Sequence, residues 1–230
     1  MALHGKEIAI MITGLALLSS PASSKTRLCE SENVTVSFQL EEHAELVCKG
    51  VRKAKVLSEN CGMPSLSTPL RIDVVEDLIG DCLGQYHCGG NLIEIISPAV
   101  MQGRGEPDGV FAHLSSGKYF QSVLIHELAH AATDGMPCPF DFCHVGPEYV
   151  AYSMQVMSLS REEQMLFEQS IDMDHLISVE HLHPLVLFMA PDVFTQRVWA
   201  HLKQREAPCE FLGQLINGEV IIDFETVEPE

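Results

Sequence analysis

The segment Lys118–Thr133 contains no proline or glycine and is apolar almost all the way round, through Tyr119, Phe120, Val123, Leu124, Ile125, Leu128, Ala129, Ala131 and Ala132. A helix with that pattern has no face to offer water, so it must be buried. Its polar residues then carry the information. They read His126-Glu127-Leu128-Ala129-His130. Unpaired polar groups are costly in an interior, so this group needs partners. Two histidines four apart share one helical face, about 6 Å apart along the axis. Their imidazoles can converge on one metal ion, and Glu127 sits where its carboxylate can reach water held by that ion. Composition alone gives roughly 0.05 chance matches to this pattern in a chain of this length.

A catalytic Zn2+ takes three protein ligands and keeps an open position. Asp134 does not qualify, because eight residues of helix put it about 12 Å along the axis from His126. Gly135 and Pro137 end the helix, and residues 135–147 form a short loop with three prolines and two cysteines. Pro147 then suits the first turn of a second helix, over about 148–159. Two antiparallel helices would bring Glu148 over the histidine face, and Ala151 is small enough to let them pack closely. His144, in the loop, is the alternative ligand. Glu148 is preferred because a helix holds a ligand more rigidly than a loop does.

Side chains that could donate to a developing oxyanion are Tyr149, Tyr152, His144, His175, His181 and His183, with Tyr152 one turn beyond Glu148. Cys138 and Cys143 are close enough in sequence for a local disulfide that fixes the loop before Glu148. Cys82 and Cys88 invite the same reading, bracing the turn before a strand.

The flanking sequence supplies an α+β frame. Val34, Val36, Phe38 and Leu40 alternate as in a half-buried strand, and Glu41 to Glu59 has helical spacing. Leu70 to Val75 and Asn91 to Ser97 read as further strands, with Gly80 to Gly90 a turn region and 102–110 a polar loop. Beyond the second metal-bearing helix the chain reads as mainly helical, with segments near 161–171, 174–182 and 192–204 and a short strand at Val220 to Phe224. The expected fold is a small mixed sheet with a buried helix and a mainly helical C-terminal part.

Ile8 to Leu18 is an apolar run too short to span a bilayer, followed by Ser20-Pro21-Ala22. Residues 1–22 therefore read as a signal peptide and 23–230 as one domain without a membrane-spanning segment. Export, periplasmic or secreted, and an even count of 8 cysteines favour disulfides. The net charge of −18 argues against nucleic acid or anionic lipid as the main partner.

His126-Glu127-x-x-His130 followed by a helical Glu148 resembles the gluzincin branch of the zincin metallopeptidases, and in particular small uncharacterised exported bacterial members. The resemblance covers about residues 116–159. It implies Zn2+ bound by His126, His130 and Glu148, Glu127 as general base, and a peptide or protein substrate held along Asn91 to Ser97 as edge strand. The metzincin branch is excluded, because its Gly and third His after His130 are missing. Pro147 stands where many gluzincins have Asn, and Tyr152 where some have Asp, which leaves the substrate open. A non-catalytic protein of the same fold is the second reading. Glu127, with no metal-binding role, speaks against it. The sequence is silent on oligomeric state.

Overall fold

The alternation at Val34, Val36 and Phe38 becomes a strand whose inward residues are fully buried. The computed structural model describes residues 24–30, 33–66, 69–80, 82–104 and 108–224. The expected signal peptide, 1–22, lies outside the described residues. The elements follow as β1 (Lys25–Cys29), β2 (Val34–Phe38), α1 (Glu41–Asn60), β3 (Leu70–Val75), β4 (Gly84–His87), β5 (Leu92–Ile96), α2 (Pro98–Arg104) and α3 (Ser116–Ala132). Then come α4 (Val145–Met157), α5 (Arg161–Glu168), a 3-10 turn (Val179–Leu182), α6 (Pro184–Met189), α7 (Pro191–Lys203) and α8 (Pro208–Ile216). The fold is α+β, a five-stranded mixed sheet with helices and a mostly helical C-terminal half.

The strand order is β1-β2-β3-β5-β4. β2, β3 and β5 run parallel, with α1 as the crossover between β2 and β3, while β1 and β4 pair antiparallel at the two edges. This corrects one expectation. Asn91 to Ser97 is not an edge strand: β5 lies between β3 and β4, and its Ile93, Ile95 and Ile96 are buried. The edge is β4, Gly84-Gln85-Tyr86-His87, inside the segment read as a turn. Four residues with one glycine carry too little alternation to announce a strand, yet short strands are common at sheet edges.

The apolar helix α3 is buried from Phe120 through Ala129. It packs against α1 on one side and α4 on another, with β4 also against it. Two disulfides tie α1 to its surroundings, Cys29–Cys48 to β1 and Cys61–Cys209 to α8. A third, Cys138–Cys143, closes the loop before α4, as expected. Cys82 and Cys88 are free and exposed, which corrects the pairing suggested for them. They flank β4, and an extended strand rises about 3.3 Å per residue, which separates them beyond disulfide reach. Three disulfides fit an oxidising compartment. Among the described residues no helix is long and apolar enough to cross a membrane.

Other expectations shift locally. Only Val179–Leu182 of the segment near 174–182 is helical, as a 3-10 turn. The Gln204 side chain takes the Ile177 amide and the His175 carbonyl, satisfying backbone groups that a helix would have paired. Val220 to Phe224 forms no strand, and its Asp223 instead caps α4. Helices α2, α6 and α8 were not anticipated. Each opens on a proline, at 98, 184 and 208, a residue pre-set for a first helical turn.

In the helical half, Tyr149 of α4, His201 of α7 and Phe211 of α8 meet edge to face, with centroids 5.5, 5.7 and 5.5 Å apart. Arg205 can only donate, so it fixes His201 Nε2 as acceptor, and Nδ1–H donates to the Tyr149 oxygen at 2.8 Å. Burial, then the Arg205 charge, pushes the His201 pKa down to about 4. In the unfolded chain it takes a proton near pH 6.5. The unfolded state therefore binds more protons between these values, so this stability is full above pH 6.5 and lost as pH falls toward 4. At about 1.4 kcal/mol per pKa unit the loss is at most about 3 kcal/mol. In thermal unfolding across that window, His201→Gln is expected to have a flatter pH dependence than the native chain. Parallel curves would refute the assignment.

Candidate metal centre

The i, i+4 spacing on α3 does what helix geometry demands. His126 Nε2 and His130 Nε2 lie 3.1 Å apart. From α4, Glu148 Oε2 comes to 3.3 Å of His126 Nε2, and Glu148 Oε1 to 3.5 Å of His130 Nε2. Tetrahedral coordination with bonds of about 2.0–2.1 Å places ligand atoms about 3.3–3.4 Å apart. The three side chains thus have the spacing and the donor chemistry, two imidazoles and a carboxylate, of a three-ligand site with an open position. They form a His-His-Glu group that could hold a metal ion.

The electrostatics point the same way. Burial opposes charge on His126, but the hydrogen bond and charge of Glu148 outweigh it and the net direction of its pKa is up. Burial likewise works to raise Glu148, and hydrogen bonds from the two imidazoles outweigh it, holding the carboxyl far below its usual range. The centre stabilises positive charge between its three members. His126 Nδ1 is buried without a hydrogen-bond partner.

Glu148 sits in the first turn of α4, and the start of that helix is anchored from a distance. The Asp223 carboxylate accepts from the Val145 amide at 2.7 Å and the Gly146 amide at 2.9 Å. Local sequence held no signal for this, since Asp223 is far along the chain. The 138–143 disulfide fixes the other side of the same helix start. His144, the alternative ligand, is exposed and packs between Phe142 and Phe188, outside the cluster.

Glu127 points across to the edge strand. Its Oε2 accepts the Tyr86 amide at 2.8 Å. Burial pushes its carboxyl pKa up, against the lowering influence of His126 and His130. Gly84 makes this approach possible: a Cβ there would lie 2.8 Å from Glu127 Cγ and 2.9 Å from its Oε1. Tyr86 is tied to α3 a second time, because its phenol donates to Asp134 at 2.7 Å. Asp134 also accepts from the Gly89 amide at 2.8 Å. Asp134, excluded as a ligand, thus braces the edge strand against the helix that carries the histidines.

Tyr152 packs edge-on against the His126 ring, with centroids 4.5 Å apart, and against Phe194. Burial, then the charge of Glu148, raises its pKa, so the phenol stays protonated. Tyr149 is turned instead to His201. His175 and His181 pair with each other, and His183 meets Phe224. A cleft of about 700 Å³ opens onto His126, Glu127, His130, Glu148 and Tyr152, with the strand Gly84-Gln85-Tyr86 along its side.

The model of DUF6639, a family of unknown function, matches residues 34–225, and the chain belongs to that family. The match spans the whole candidate metal centre and its Asp223 anchor. No curated protein and no solved structure matches the chain.

Proposed function

We propose that this member of DUF6639 is an exported zinc-dependent hydrolase of the gluzincin type, acting on peptide bonds. The observation that carries the reading is the set of three ligand-atom separations, 3.1, 3.3 and 3.5 Å, beside a buried Glu127 in an open cleft. His126, His130 and Glu148 would hold the ion. When bound, a zinc ion lowers the pKa of a water molecule and polarises a carbonyl oxygen.

The rest of the work falls to the chain itself. Glu127, desolvated and oriented by the Tyr86 amide, takes a proton from the attacking water and returns it to the departing amine. A carboxyl with a raised pKa is suited to both halves of that transfer. The Tyr152 phenol, protonated and against His126, is the candidate donor to the oxygen on which charge develops. Apart from the Tyr86 amide that Glu127 holds, the outer side of β4 offers backbone groups along which an extended peptide can lie as an added strand. The three disulfides support a periplasmic or secreted location.

The test is incubation of the purified protein with a mixed peptide library, with and without a chelator, read by mass spectrometry. Chelator-sensitive cleavage that returns on adding zinc is expected. A metal-replete protein that cleaves nothing would overturn the peptidase reading and favour a binding role.

A further inference from the structure

We propose that a side cavity adjoining the metal cleft is a specificity pocket for a lysine or arginine side chain of the substrate, with Asp192 as its counter-charge. The inference rests on the peptidase reading above and names its substrate class.

The two cavities lie side by side. The second, of about 680 Å³, shares Leu83, Phe111, Tyr119, Pro191 and Asp192 with the metal cleft. A side chain projecting from a peptide laid along β4 therefore meets the shared wall, where Asp192 lines both compartments. Two aromatic rings stand in its wall, Phe111 and Tyr119, with centroids 5.9 Å apart. Aromatic faces attract ammonium and guanidinium groups.

Asp192 supplies the charge. It stands in the first turn of α7, partly buried, and its Oδ2 accepts the Val110 amide at 3.0 Å. That bond holds the carboxylate at the junction of the two cavities without neutralising it. Its field reaches the neighbouring phenol, since it contributes to the raised pKa of Tyr119. The charged surroundings agree. Among the described residues lining the metal cleft, Asp192 is the acid left over from the metal centre and its base, and there is no lysine or arginine. The arginine of the side cavity, Arg104, is ion-paired with Asp77 and directed to the Cys82 carbonyl. An apolar side chain entering here would strip water from Asp192 and give nothing back, which is costly. A cationic one replaces that water with a charge-assisted hydrogen bond. The net charge of −18 favours the approach of the same peptides.

The test uses acetylated peptide amides that differ only by arginine or its neutral isostere citrulline next to the cleaved bond. The metal-loaded protein is expected to prefer the arginine peptide by about 10–100-fold in kcat/KM. Asp192→Asn should cut the ratio at least tenfold, and Asp192→Glu should keep most of it. Binding to the Glu127→Gln protein, measured by calorimetry, should follow the same order. Cleavage with no arginine preference would overturn the pocket and leave the peptidase reading standing. Arginine-selective binding without any cleavage would do the reverse. The same peptides without the acetyl group are run alongside: an Asp192 effect seen only with these would assign the carboxylate to the substrate amine, and so overturn the side-chain assignment.

Discussion

Glu127→Gln is expected to lower peptide hydrolysis by about 10²–10⁴-fold, the range general-base catalysis contributes, while the metal stays bound. Glutamine keeps the shape, and its carbonyl oxygen can still accept the Tyr86 amide, so the packing around residue 127 should survive. What it loses is the capacity to take a proton. Glu127 is not among the three groups that converge on the proposed ion, so metal content should match the native protein. Activity and metal are to be measured on the same sample. Undiminished hydrolysis would remove Glu127 as the base.

Gly84→Ala should produce a comparable defect by a different route. The added Cβ would fall 2.8 Å from Glu127 Cγ, closer than such atoms approach. The atoms in the way belong to a flexible side chain, so the fold yields by turning Glu127 away from the Tyr86 amide. The expected stability cost is modest, about 1 kcal/mol, at the low end for overpacking. The expected loss of activity is at least about 100-fold, because small misplacements of a catalytic group cost that much. Metal content should not change, since His126, His130 and Glu148 are untouched. Melting temperature, metal content and kcat/KM together check this. Native activity with a shifted melting temperature would mean that the Gly84 contact serves packing alone.

Legibility in the sequence depended on whether the cause was local. The buried helix announced itself because apolar residues on every side leave no other place for it. The histidine pair followed from 3.6 residues per turn, and Glu148 from a proline-marked helix start after a short loop. What stayed hidden depends on distant partners. β4 is a strand because β5 lies beside it, and its four residues carry little pattern of their own. Asp223 caps α4 from 78 residues away along the chain, so nothing around it marks the role. Asp134 lies too far from His126 to share its metal ion, and its use, to hold Tyr86 and Gly89, depends on a strand distant in sequence. The prolines at 98, 184 and 208 did carry a local signal for α2, α6 and α8.

The central claim is that His126, His130 and Glu148 form one metal centre. The direct measurement is the metal content and zinc affinity of the purified native protein beside Glu148→Ala. The account predicts close to one zinc per native chain. It predicts affinity at least about 100-fold weaker in the variant, since even outer-shell partners of metal ligands are worth 10–100-fold. A native protein that binds no zinc, or a variant that binds it equally well, would contradict it.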